Sequence, residues 1–336
     1  MNNTFRTYIT CLLSFISSIA FTQDAKELHE TAKTYMHQGD YANASLVLTR
    51  ALQQDPQNLE ISKDLALDYL LQKENGKGLD IIKRLLDRDD ADDQIFQIAG
   101  SLYRAMNDIK EAEKVYRKGI KKYPGSGAIY NDYGETLWSQ GDIAALKQWE
   151  RGIEKDPEFS GNYYNAARYY YFSKEKIWGI IYGEIFLNLE TFTARTAEMK
   201  NIMLEGYKKL FSDPDFFRNS HDKESFAQAF VDIMFKQFDV TGTGINVENL
   251  TMVRSRFILD WFEQYGKKFP FRLFEYHKQL LQEGLFDAYN QWIFGVAQNL
   301  QAYQNWTIIH PQEYNEFGKF QKNKIFKIPK GQYYNK

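Results

Sequence analysis

Two prolines, Pro56 and Pro124, stand 68 residues apart, twice 34, and the residues before each repeat one helical pattern. Reading back from Pro56 gives Leu28, Ala32, Tyr35, Gly39, Tyr41, Ala44, Leu48 and Ala51; reading back from Pro124 gives Phe96, Gly100, Tyr103, Asn107, Ile109, Ala112, Tyr116 and Gly119. Small residues recur where one helix backbone must approach another, because a longer side chain there overpacks the contact. Gly39-Asp40 supplies the turn between the two helices, where a Cβ would be strained. Pro56 cannot continue the helix ending at Asp55, so the chain reverses and a new unit starts.

Further copies fill the register. The second, from Leu59 to about Asp92, keeps Leu65, Ala66 and Tyr69 but has Leu85 at a small position and Asp90 at the proline position. The fourth runs from Gly127 through Gly134, Ala145, Trp149 and Gly152 to Pro157, and the fifth begins near Ser160 with Tyr163, Ala166, Ala167 and Tyr170. This pattern resembles the tetratricopeptide repeat over about residues 25–190, with the second and fifth units degenerate. The resemblance implies an all-α, right-handed superhelical solenoid, in which stacked units share a core and present a curved binding surface.

The resemblance also implies where a ligand sits, since the first helix of each unit lines the concave face. By register these positions hold Lys63 in the second unit, Gln97 and Arg104 in the third, Asn131 and Trp138 in the fourth, and Tyr164, Arg168 and Tyr171 in the fifth. The mixture suits a protein or peptide ligand: amides bond its backbone, aromatic rings bury its side chains, and arginines pair its acids. The lysines and asparagines with which relatives clamp a free C-terminal carboxylate are not reproduced.

The first 22 residues read as a secretory signal peptide, with Arg6 in a positive start and an apolar run from Ile9 to Ala20 too short to span a bilayer. Cys11, the sole cysteine, lies inside that run, so the mature chain carries no disulfide and no lipid anchor is read. The expected location is periplasmic or secreted, with peripheral envelope association and no transmembrane span. Forty-two basic residues against 44 acidic ones give a net charge of −2, which draws no nucleic acid.

After Asn188 the repeat register is lost but helices continue. Apolar spacing predicts a helix from Thr191 or Thr193 to Leu210, placed to cover the apolar 177–189 segment. Further helices are expected at about 222–238, 247–265, 271–283 and 285–305, the last with a core stripe of Leu285, Tyr289, Trp292, Ile293, Val296 and Leu300. Residues 191–316 are thus expected as a helical C-terminal domain and 317–336 as a basic tail. That tail has six lysines and no acid; it reads as a solvated, partly frayed end, with docking on an anionic surface as the alternative.

No catalytic constellation emerges, and neither a metal nor a cofactor is expected. The histidines lack the spacing of a metal pair. Asp239-Val-Thr-Gly-Thr-Gly244 imitates the start of a calcium loop, but its twelfth position is Leu250 rather than Glu. The sequence therefore predicts a non-enzymatic, exported scaffold that binds a protein or peptide and assists assembly of an envelope complex. The rivals are an enzyme built on the repeat platform and a glycan or peptidoglycan binder. Mass analysis of the processed chain is expected to place its N-terminus at Phe21 or Gln23; a main species starting at Met1 would overturn export.

Overall fold

The computed structural model describes residues 24–212, 224–242 and 244–335, so the expected signal peptide lies outside the described residues. The described residues are helical, with no strand among them. The chain divides into two compact units, with the boundary between Val115 and Tyr116.

The first unit contains α1 (Ala25–His37), α2 (Tyr41–Gln54), α3 (Leu59–Leu71), α4 (Asn75–Leu85) and α5 (Asp93–Ala105), and the boundary falls inside α6 (Ile109–Lys122). Each first helix starts on a polar cap: Asp24, Asn58 and Asp92 accept from backbone N–H groups that have no partner in the helix. Apolar residues then close the core, with Leu28, Ala32, Leu48, Ala51, Ile61 and Leu65 buried together. The helix-pair turns repeat as faithfully as the small residues. Gly39 and Asn107 take positive φ (75° and 61°), as do Lys73 (64°) and, in the second unit, Gly141 (73°), so the left-handed position recurs every 34 residues. Glycine and asparagine tolerate that conformation; lysine does not, because its Cβ crowds the following carbonyl.

The second unit contains α7 (Gly127–Ser139), α8 (Ala144–Lys155), α9 (Ser160–Phe172), α10 (Lys176–Leu189), α11 (Ala194–Ser212), α12 (Phe226–Phe235), α13 (Val247–Gln264), α14 (Arg272–Gln282), α15 (Phe286–Asn290), α16 (Leu300–Ile309) and α17 (Pro311–Asn323). Close approach is enforced here too: a Cβ on Gly134 would lie 2.3 Å from Trp149 Nε1, whose indole N–H reaches the Asn131 carbonyl. Every residue from Ile177 to Leu187 in α10 is buried, so this helix is wrapped on all sides. One wrapping element is α11, whose Met199 and Met203 thioethers close on Gly183.

Three sequence expectations change. Helix α11 keeps the repeat spacing: the Tyr164 hydroxyl donates to Glu198, 34 residues on, at 2.6 Å. This contact keeps the 34-residue spacing past Asn188, although Asn201 stands where the small Ala167 stands one unit earlier. The expected 285–305 helix is interrupted by a π-helical turn, Gln291–Gly295, and ends at Asn299, whose extended backbone (φ −163°) and side chain cap α16. The wider turn rotates Val296 (44% exposed) out of the core stripe, and the break at Asn299 takes Leu300 (55% exposed) out of it.

The tail is the third change. Phe317 and Phe320 are buried on α17, and residues 324–335 lie docked along the second unit, with Phe326 and Ile328 buried. Aromatic side chains supply enough buried area to outweigh the ordering of a segment that charge count alone reads as solvated. The calcium-like stretch forms a 3-10 turn, Phe238–Thr241, followed by an Asn246–Asn249 capping box.

Lys73→Gly is expected to stabilise the first unit by about 0.5–1 kcal/mol, because it removes a strained left-handed lysine from an otherwise permissive turn position. Chemical denaturation checks this; a loss of stability would mean that the lysine side chain compensates for its backbone.

Candidate peptide-binding groove

In the first unit, the groove positions are bound into links between successive first helices. His29 Nε2 lies 2.6 Å from Asp64 Oδ2, one repeat further on. Lys63 is only 4% exposed and pairs with Glu60 at 2.9 Å and Asp92 at 2.5 Å. Burial alone would lower its pKa, but the bonds to Asp92 and Glu60 outweigh that and hold it above the ordinary lysine value. Lys63 therefore ties α3 to the cap of α5. Gln97 and Arg104 are half-buried on the same helix series.

The second unit carries a similar ladder. Asn131 is buried; its Oδ1 accepts from Asn165 Nδ2 at 2.9 Å, and its own Nδ2 donates to Glu135 at 3.1 Å. Tyr164 is clasped between two guanidinium groups, those of Arg168 (5.2 Å from the ring centroid) and Arg195 (5.0 Å). Burial, followed by the bond to Glu198, pushes the Tyr164 hydroxyl up to about 12. Arg168 Nε pairs with Glu198 at 3.0 Å. Tyr171 is half-buried and has Lys209 Nζ 3.6 Å from its ring centroid.

Trp138 differs from these. It is 48% exposed, with Tyr169 set edge-on at 5.7 Å and Trp149 behind at 6.1 Å. Of the eight residues the sequence placed in the groove, Lys63, Asn131 and Tyr164 are buried connectors. Arg168 and Trp138 remain on the surface. Sequence reasoning did not single out Asp64, Asn165, Tyr169, Arg195 or Glu198. Asn165 and Glu198 were within reach, since each lies 34 residues after a partner already placed in the groove.

A second polar cluster in this unit was also missed. Glu184 of α10 is 2% exposed, and Arg254 of α13 donates to it. His277 Nε2 of α14 lies 2.8 Å from Glu184 Oε1, and the Tyr289 hydroxyl donates to the same oxygen at 2.8 Å. Arg254 also donates to Asn290. Burial would raise the Glu184 pKa, but Arg254 and His277 overcome it and bring the carboxyl down to about 2. Burial lowers His277, so its ring stays neutral and donates to Glu184. No periodicity announces this cluster, because its members come from four separate elements. The cavity beside it has a volume of about 10 Å³, room for roughly one water, so the cluster reads as a structural joint. Among the described residues no group of His, Cys, Asp and Glu could hold a metal ion.

Sequence profiles of the tetratricopeptide repeat match residues 35–102 and 99–158. The chain is a tetratricopeptide-repeat protein. No curated protein matches it. Among solved structures it is similar to pilF of Pseudomonas aeruginosa, with 16% identity over 57% of this chain and 86% of that one and a TM-score of 0.47. It is also similar to TTC0263, a thermophilic TPR protein of Thermus thermophilus, with 14% identity over 54% and 99% of the two chains and a TM-score of 0.46. YrrB, described as a TPR protein with an unusual peptide-binding site, aligns with 16% identity over 53% and 92% at a TM-score of 0.36.

Glu184→Gln is expected to cost about 3–5 kcal/mol at neutral pH, because it leaves the Arg254 charge buried without its counter-charge. The pH dependence has a fixed sign. The folded Glu184 binds its proton only near pH 2, below its ordinary value of 4.5, so its contribution is complete above that value and lost as pH falls. His277 acts in the same direction, since its folded pKa is lowered and acid must charge a buried ring. The stability of wild type, read by denaturation, should fall between about pH 5 and pH 2 more steeply than that of the Gln variant; parallel profiles would overturn the assignment.

Proposed function

We propose that this protein is a non-enzymatic, exported scaffold whose first-helix face binds a protein or peptide and assists assembly of an envelope complex. Trp138 carries the reading: a large ring left open on a helix series whose polar groups are otherwise engaged with one another. Half-exposed aromatic anchors ringed by already satisfied polar groups suit recognition of a side chain more than chemistry on it. The repeats over about residues 25–190 supply the binding face, and the helices after 190 complete the fold. Export rests on the positive start and the apolar run from Ile9 to Ala20, and no helix among the described residues is long and apolar enough to cross a membrane. Within the second unit, Arg168 and Tyr171 belong to the surroundings of the ligand in this reading, and Asn131 and Tyr164 hold the helices that present it.

A photo-crosslinking residue at position 138 in cells tests the proposal. The expected outcome is a protein adduct in the envelope fraction that is lost on Tyr169→Ala, with thermal stability shifted by about 1 kcal/mol or less. Adducts to glycan alone would favour the carbohydrate-binding rival. A chain confined to the cytoplasm would overturn the exported role.

A further inference from the structure

The docked tail covers a surface of the second unit centred on α8. Residues 324–335 run antiparallel to α8: Lys327 pairs with Glu158 at 3.5 Å, Lys330 lines one crevice with Glu154, and Asn335 Nδ2 reaches Glu150 at 2.5 Å and the Tyr170 hydroxyl at 2.8 Å. Glu150 and Glu154 lie one turn apart on one face of α8, and Glu158 follows in the next turn. An acidic row thus faces a segment that has lysines and no acid.

Apolar contacts alternate with these charges as in an extended strand. Ile325 is 75% exposed, Phe326 is buried, Lys327 is exposed and Ile328 is buried. Phe326 packs 5.2 Å from Tyr276, and Tyr334 stacks on Phe226 at 4.9 Å while donating to the Pro270 carbonyl at 2.7 Å. Gln332 Oε1 accepts from the Arg272 backbone N–H at 2.6 Å. Side-chain bonds to the domain's backbone, alternate side-chain pockets and complementary charge together hold an extended segment by its sequence.

We propose that this surface of α8, α9 and α14 is a binding site for extended, lysine-bearing peptide segments, which the chain's own tail occupies and yields to a partner segment of the same chemistry. The tail is held in place as an intramolecular ligand. Its effective concentration is on the order of millimolar, so a free competitor binds weakly until the tail is loosened.

The test uses the full chain and a fluorescent synthetic peptide of residues 324–335. With Ile328→Asp and Tyr334→Ala in the tail, the protein is expected to bind the peptide at least tenfold more tightly than wild type does. A peptide with Lys324, Lys327 and Lys330 replaced by Glu should not bind. If that variant fails to fold, Lys327→Glu with Lys330→Glu alters only exposed positions and should still strengthen peptide binding at least threefold. Adding Glu154→Lys and Glu158→Lys to it should abolish binding of the natural peptide. Equal binding to wild type and a folded tail variant, no binding to either, or indifference to the charge-reversed peptide would each overturn the proposal.

Discussion

Close approach of helix backbones is the constraint on which the repeats depend. The position held by Ala44 recurs as Gly78, Ala112, Ala145 and Gly179, and that held by Ala32 recurs as Ala66, Gly100, Gly134 and Ala167. Where helices meet without side chains between them, neighbouring turns can seat large residues such as Trp149 and Phe96, both fully buried. The interior is then dense, and little free volume remains for a longer side chain. Pro157 follows Pro124 by 33 residues rather than 34, and the missing residue falls in the turn between Gly141 and Ala145, so these contacts stay intact.

The second unit adds a different joint. Once α10 is apolar on every side, no part of it can stay in water, and Glu184 is carried inward with it. A buried carboxylate is tolerated only with a countercharge and filled lone pairs. Arg254, His277 and Tyr289 provide these, and in doing so fix α13, α14 and α15 around the fifth repeat. Such a joint specifies one arrangement of the C-terminal helices where aromatic packing alone, with many nearly equivalent ring contacts, would be permissive.

The same economy shapes the candidate binding surface. Side chains that line an open groove in the simplest reading of the repeat are here turned into ties between first helices, as Lys63 is with Asp92 and Tyr164 is with Glu198. In the proposed reading, recognition then falls to Trp138 and its neighbours. The tail makes a comparable use of a second helix, laying Lys327 against Glu158 and Asn335 against Glu150.

Much of the fold was legible because it is periodic. Repeated small residues, turn positions and prolines set the helix pairs, since each unit reports the same contact as the last. Two kinds of feature were not legible. The π-helical turn at Gln291–Gly295 and the break at Asn299 redirect Val296 and Leu300 without any warning in the apolar spacing. The Glu184 cluster and the docking of the tail join residues 70 to 185 positions apart, as Arg254 does with Glu184 and Asn335 with Glu150. The sequence by itself determined the repeated unit, because local spacing decides which faces of a helix are apolar. Only the tertiary structure decided which side chains stay open and which polar groups bind one another, because burial and pairing depend on neighbours that sequence distance does not reveal.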